Sequence, residues 1–257
     1  MDKLPEFKGR PLVETPGAQM IGYLEGEFGK AFLEKYNTVI DEKYNGNKKL
    51  KVLEFGDNVV KGSSTYSSVI AADMLRKGGL EIAKPVDIEF SIKLYNKTNG
   101  RSGLDIKKQC SIDYGVVFRN AADPNKYHAE KLESQIKRSL DIKKIKYPIV
   151  ILSGDLDIVN DENGPNGLGF SLKNESKPFA ASALKHYTSF TKTDRNGMPV
   201  PKERKGGFVG IPRTSYADND SGLSRMCLYQ DMNFDLCSSL PNLTQSNPDG
   251  RVVAVKK

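Results

Sequence analysis

Residues 147–177 read YPIVILSGDLDIVNDENGPNGLGFSLKNESK, and this stretch decides the fold. It contains the strongest aliphatic run of the chain, residues 149–152. A turn rich in Gly, Pro and Asn follows, and then a second apolar segment. Short aliphatic runs bounded by turn residues are typical of buried strands, and Asn-Gly and Asp residues are typical of hairpin turns. We therefore predict a buried strand, a hairpin connection over residues 161–167 and a second strand against which a helix packs.

Helical and strand periodicities alternate through the rest of the chain. Apolar spacings of three and four predict helices over residues 18–44, 65–77, 124–140 and 179–191. Alternating or continuous apolar runs predict strands over residues 50–55, 86–94, 110–119, 208–211, 225–229 and 251–255. We expect residues 86–94 and 110–119 to pair as a hairpin. This order of elements indicates an α/β or α+β fold with a mixed sheet, three to four helices and a β-rich C-terminal part.

The domain organisation follows from length and from shifts in composition. A chain of 257 residues can bury a sizeable core, and it contains no repeat and no low-complexity tract. We expect one mixed domain over residues 1–257. Residues 1–16, with three prolines, are expected to form an extended arm. Residues 193–257 are expected to be a loop- and strand-rich elaboration of the same domain.

The charge balance is positive, with a formal net charge of +7. The densest basic segment runs over residues 137–146, and its cations are Lys137, Arg138, Lys143, Lys144 and Lys146. Such a segment is either a solvated face or a surface that binds nucleic acid or another polyanion. The apolar runs are too short to span a bilayer, so we expect no membrane partner. The N-terminus has no apolar signal core, and a cytoplasmic location is the default expectation.

The cysteines and histidines offer no metal-site spacing. The chain has three cysteines, Cys110, Cys227 and Cys237, and two histidines, His128 and His186. No CxxC pair occurs, so neither a zinc site nor a disulfide framework is predicted. The cysteines are expected to be small buried residues. We expect His128 on the solvated side of its helix and His186 beside a packed stripe.

The acids and lysines of residues 155–177 carry the main chemical hypothesis. Asp157 ends a hydrophobic strand, and Glu175 and Lys177 follow after the turn. An acid, then an acid two residues before a lysine, resembles the PD-(D/E)xK nucleases. The resemblance implies that Asp157 and Glu175 hold Mg²⁺ and that Lys177 orients or activates the attacking water. The stronger strand pattern, however, pairs Lys173 with Ser171 rather than with an acid.

A second oxygen site is conceivable among Asp157, Asp161 and Glu162, although the spacing does not fit an EF-hand loop. The alternative is that these carboxylates are ordinary turn residues, which the Asn-Gly context favours.

Two functions remain open from the sequence. The first is a binding or assembly protein that uses its basic surface on nucleic acid or another polyanion, with no cofactor and with self-assembly possible. The alternative is a Mg²⁺-dependent nuclease built on Asp157, Glu175 and Lys177. The absence of a complete catalytic motif favours the first.

Overall fold

The protein is described by a computed structural model that covers residues 4–12, 20–104, 110–139, 147–185, 188–200, 208–217, 220–229 and 235–256. These residues form an α+β fold with a mixed sheet. The helices are α1 (Gly26–Lys43), α2 (Thr65–Lys77), α3 (Pro85–Lys97) and α4 (Lys126–Ser139). The strands are β1 (Arg10–Pro11), β2 (Met20–Tyr23), β3 (Glu54–Gly56), β4 (Val59–Lys61), β5 (Glu81–Ile82), β6 (Ser111–Phe118), β7 (Ile149–Leu152), β8 (Leu156–Asn160), β9 (Leu168–Leu172), β10 (Phe179–Ala180), β11 (Thr188–Thr193), β12 (Phe208–Tyr216), β13 (Leu223–Tyr229), β14 (Asp235–Leu240) and β15 (Val253–Lys256).

The largest sheet has seven strands in the order β10-β7-β6-β13-β14-β12-β11. Its β12–β14 pairing is parallel and the other pairings are antiparallel. A second sheet has the order β1-β2-β15-β5, and β3–β4 and β8–β9 form separate hairpins. The β8–β9 hairpin confirms the predicted connection over residues 161–167.

Strand β6 is the third of the seven strands of the large sheet, between β7 and β13, and all eight of its residues are buried. Val116 and Phe118 belong to the core that also contains residues of α1, α2 and α4. Ile112 and Val117 belong to a second core on the other face, which includes Ile88 of α3. Because both faces of β6 are covered, consecutive residues 116–118 are all apolar, and the one charged residue of the strand, Asp113, is paired with Arg225.

A β-bulge changes the face that β6 presents at Gly115. Met226 pairs with Gly115 and Cys227 pairs with Asp113, so Tyr114 is the extra residue on β6. Gly115 has a φ of +136°. A Cβ atom at this position would lie 2.2 Å from the carbonyl oxygen of Ile151. The close approach of β6 and β7 therefore requires glycine here.

The predicted strand over residues 86–94 is wrong, because this segment is the helix α3. Its buried residues include Pro85, Ile88 and Glu89, at helical spacing. Asp87 accepts a hydrogen bond from the Lys84 backbone amide and caps the first turn. The predicted hairpin is wrong for the same reason, since β6 pairs instead with β7 and β13.

Two helix boundaries also differ from the prediction. Residues 20–23 form β2, and α1 begins only at Gly26. The predicted helix over residues 179–191 is replaced by β10, a short 3₁₀ turn over Ser182–Leu184 and β11. By contrast, α2 has the predicted limits, α4 lies within its predicted range and β7 coincides with the aliphatic run.

Candidate functional site

Asp157 lies on β8, directly opposite Ser171 of β9. Its carboxylate is 3.4 Å from Nζ of Lys173, whose side chain is almost fully buried. Gln135 of α4 fixes the neighbouring strand by accepting a hydrogen bond from the backbone amide of Leu172. Asp157 is therefore paired with Lys173 across the hairpin. Ser171, two residues before this lysine, occupies the position at which the nuclease pattern has an acid.

Glu175 and Lys177 lie beyond β9, and Glu175 contacts the end of α2. The Glu175 carboxylate accepts a 2.6 Å hydrogen bond from Arg76, at the end of α2. Hydrogen bonding to its own backbone amide and to Arg76 lowers the pKa of Glu175. Asp157 and Glu175 thus have separate basic partners, Lys173 and Arg76.

Glu175 and Lys177 line a cleft of about 380 Å³, which we call the polar cleft. Asp155 lines it too, whereas Asp157 does not. Burial raises the pKa of Asp155, and nearby Lys84, Lys173 and Arg76 partly offset this effect. The polar cleft is formed by residues 72, 76, 81–84, 114, 152–155, 175, 177, 179 and 196.

The acidic cluster over residues 155–163 is divided among several structural contacts. Asp161 accepts a 2.8 Å hydrogen bond from the Tyr127 hydroxyl and is paired with Lys131. Glu162 is exposed in the turn between β8 and β9. Within the described residues, no group of three or more His, Cys, Asp or Glu side chains is arranged to hold a metal ion.

The basic segment over residues 137–146 is only partly described. Lys137 pairs with Glu133 at 3.0 Å, one turn earlier on α4. Arg138 is exposed. Lys143, Lys144 and Lys146 lie outside the described residues. On the part of α4 that the structure describes, Lys126 and Lys131 also have acidic partners, Glu130 and Asp161, so much of its positive charge is already compensated.

A different group of cations lines a cleft of about 300 Å³, which we call the basic cleft. Its cations are Lys8, Arg10, Lys61 and Arg251, and its acids are Glu25 and Asp57. Lys61 is paired with Asp57. The remaining acid, Glu25, lines the cleft together with Lys8, Arg10 and Arg251, so the basic cleft carries an excess of positive charge.

Backbone pairing brings these distant cations together. Arg10 is paired with Ile21 in the β1–β2 ladder, and Lys61 forms an isolated bridge with Arg251. Gly9 and Gly22 allow the arm to lie against β2, because a Cβ on Gly9 would lie 3.0 Å from the Ile21 carbonyl. Sequence reasoning missed this site because its cations are scattered singly along the chain.

His128 is not on a solvated helix face, so that prediction is wrong. It is 1% exposed, and its Nε2 lies 2.9 Å from the Tyr66 hydroxyl. Burial lowers the pKa of His128 to about 4 and also raises the pKa of Tyr66. Phe170 of β9 stacks on Tyr66, so the pair joins α2, α4 and the hairpin. His186 lies outside the described residues.

Comparisons with protein-family models, with curated proteins and with solved structures found no match for this chain. None of the helices in the described ranges has the length and apolar character needed to cross a membrane. Functional inference therefore depends on the geometry of the sites themselves.

Proposed function

We propose that this chain is a binding protein whose basic cleft takes the phosphate groups of a polyanion such as nucleic acid. The observation that carries the proposal is the convergence of Lys8, Arg10 and Arg251 around a cleft of about 300 Å³ that is also lined by one further acid, Glu25.

The chemistry of these side chains suits phosphate. Guanidinium groups present several donors in a plane and bind phosphate oxygens in pairs, whereas lysine supplies a compact charge. Arg10 is exposed, and its Nη1 donates to the Gly100 carbonyl at 3.2 Å, which holds the side chain across the surface. The overall charge of +7 adds long-range attraction for a polyanion.

Salt dependence of binding tests the proposal. We expect single- and double-stranded oligonucleotides to bind in fluorescence anisotropy, with affinity that falls steeply as salt rises. The triple variant Lys8→Gln/Arg10→Gln/Arg251→Gln should lower the slope of log K against log salt by about 2 to 3, because each lost phosphate contact removes about 0.7 to 0.9.

Two matched variants make the test specific. Lys30→Gln/Lys43→Gln/Lys49→Gln removes the same charge from exposed positions and should leave most of the affinity intact. Lys143→Gln/Lys144→Gln/Lys146→Gln tests the basic segment predicted from the sequence. Loss of binding in this variant alone would assign the binding site to residues 137–146 instead of the basic cleft. Equal losses of affinity in all three variants would show that binding depends only on the net charge of the protein. Circular dichroism would verify that each variant is folded.

A second candidate function is Mg²⁺-dependent phosphodiester hydrolysis in the polar cleft. The observation that favours it is that Asp155, Glu175 and Lys177 line one cleft in the order acid, acid, lysine. In this version Asp155 takes the place that the sequence pattern gave to Asp157. Plasmid incubated with Mg²⁺ should be cleaved by the native protein and by Asp157→Asn, but not by Asp155→Asn. Cleavage that is absent, or equal in all three proteins, would reject the hypothesis.

A further inference from the structure

We propose that Cys227 and Cys237 form a reversible disulfide, with a low-molecular-weight disulfide of the glutathione class as oxidant. The two residues are direct partners in the antiparallel β13–β14 ladder. Paired residues in such a ladder have Cα atoms about 4.5 to 5.5 Å apart. A disulfide spans about 4.4 to 6.8 Å between Cα atoms, so the backbone already has the required spacing.

The side chains also meet. Cys227 and Cys237 are both thiols in the structure, and the Cys237 side chain is close enough to Cys227 to raise its pKa. Residues on directly opposite positions of an antiparallel pair project from the same face of the sheet. The two sulfur atoms are therefore neighbours on one face, and no strand has to slide to join them.

Both cysteines line a pocket of about 430 Å³, which we call the thiol pocket. Cys237 is partly exposed there, whereas Cys227 is 1% exposed. This difference assigns the order of events. Cys237 is the sulfur that an external disulfide can reach first, and Cys227 is the sulfur that completes the exchange.

The exchange is balanced without any further reactant. The Cys237 thiolate attacks one sulfur of the oxidant, which forms a mixed disulfide and releases one thiol. The Cys227 thiolate then attacks the Cys237 sulfur of the mixed disulfide and releases the second thiol. One external disulfide is reduced, two protein thiols are oxidised, and the two protons pass to the released thiolates.

The surroundings are charged but already compensated. Arg225, two residues before Cys227, lines the same pocket and makes a two-point ion pair with Asp113. Asp113 is the β6 partner of Cys227. The interaction with the Cys237 side chain favours the protonated form of Cys227, so this interaction and burial together raise the pKa of Cys227, and Arg225 partly offsets them. These surroundings therefore favour the thiol form of Cys227 in the reduced protein.

Cys110 provides an internal control. It is buried, it lines the basic cleft rather than the thiol pocket, and it contacts the Tyr23 hydroxyl at 3.8 Å. Burial raises the pKa of Cys110 to about 11. Selective oxidation of the other two cysteines would therefore follow from their pairing and not from general thiol reactivity.

Mass spectrometry after equilibration in glutathione buffers tests the proposal. Trypsin cleaves after Arg225 and Arg251, with no Lys or Arg between them, so residues 226–251 form one peptide that carries both cysteines. In oxidising buffer we expect this peptide to lose the mass of two hydrogen atoms and to resist alkylation, while Cys110 is still alkylated when the protein is denatured afterwards. Dithiothreitol should restore both thiols.

Variants and a denatured control complete the experiment. Cys227→Ser should leave a mixed disulfide with glutathione on Cys237, and Cys237→Ser should leave Cys227 reduced. The native protein should require at least about tenfold less oxidised glutathione than the urea-unfolded chain, because folding raises the effective concentration of the paired thiols. The proposal is overturned if the native peptide never loses two hydrogens, if only the unfolded chain does so, or if Cys110 joins either cysteine.

Discussion

The Tyr66 hydroxyl and Nε2 of His128 lie 2.9 Å apart in the core, and they connect α2 to α4. Burial lowers the pKa of His128 to about 4, so the imidazole is neutral at pH 7. The unfolded chain takes up this proton near its ordinary pKa of about 6.5. Between these values the unfolded state binds more protons, and stability falls as the pH falls from about 6.5 towards 4.

The first prediction concerns this acid sensitivity. The contribution of His128 should be complete above pH 6.5, and its loss by pH 4 should be on the order of 3 kcal/mol. Urea unfolding of His128→Gln between pH 4 and pH 7 should show a shallower dependence than the native protein, because glutamine does not titrate. His186→Gln measures the part due to the second histidine. An unchanged pH dependence in His128→Gln would contradict the prediction.

The second prediction concerns the bulge in β6. Gly115→Ala should destabilise the protein by at least about 2 kcal/mol, because φ is +136° and the new methyl would lie 2.2 Å from the Ile151 carbonyl. Gly154→Ala is the matched control, since a Cβ there has no atom within 4 Å. Its free energy of unfolding should change by less than about 0.5 kcal/mol. Similar losses for the two variants would remove the steric explanation.

The third prediction concerns the buried ion pair between Glu89 of α3 and Arg213 of β12. Both side chains are less than 10% exposed, and both guanidinium Nη atoms donate to the carboxylate. Glu89→Gln should cost about 3 to 5 kcal/mol, because it leaves a buried cation without its counter-charge.

Two comparisons give this prediction its controls. Glu89→Leu/Arg213→Met removes both charges and should recover much of the loss. Glu133→Gln breaks the exposed pair with Lys137 and should cost less than about 0.5 kcal/mol. A loss in Glu89→Gln as small as that in Glu133→Gln would show that the pair is effectively solvated.

The fourth prediction concerns the first turn of α2. The Ser64 side chain accepts a hydrogen bond from the Ser67 backbone amide, and the Ser67 side chain accepts one from the Ser64 backbone amide. Ser64→Ala should therefore lower stability by about 1 kcal/mol. Ser134→Ala, on the exposed face of α4, should have no cost. Thermal or urea unfolding of the two variants distinguishes capping from a general effect of serine removal.

The parts of the fold that sequence could predict are those with local causes. Ser64 caps α2, apolar residues repeat along that helix, and two glycines follow it, so residues within and next to the helix determine its limits. The aliphatic run of β7 and the Asn-Gly turn between β8 and β9 are equally local. Such elements need no information about distant parts of the chain.

The predictions that were wrong concern residues whose contacts are distant along the chain. In α3 the apolar residues alternate as in a strand, but the helix buries Glu89, whose partner Arg213 lies 124 positions away along the chain. Phe90, assigned to the core by the strand pattern, is 37% exposed. The burial of His128 was missed for the same reason, because its partner Tyr66 is on another helix. The basic cleft was missed because β-pairing, and not sequence proximity, joins Arg10, Lys61 and Arg251.

The position of β15 between β2 and β5 has a consequence for biosynthesis. Both neighbours of β15 are translated before it, so each keeps one strand edge unpaired until β15 has been synthesised. The small sheet can close only when residues 253–256 have left the exit tunnel. Until then the apolar residue Ile21 lacks its partner Val255, and we expect this unpaired edge to make the nascent chain more prone to aggregation.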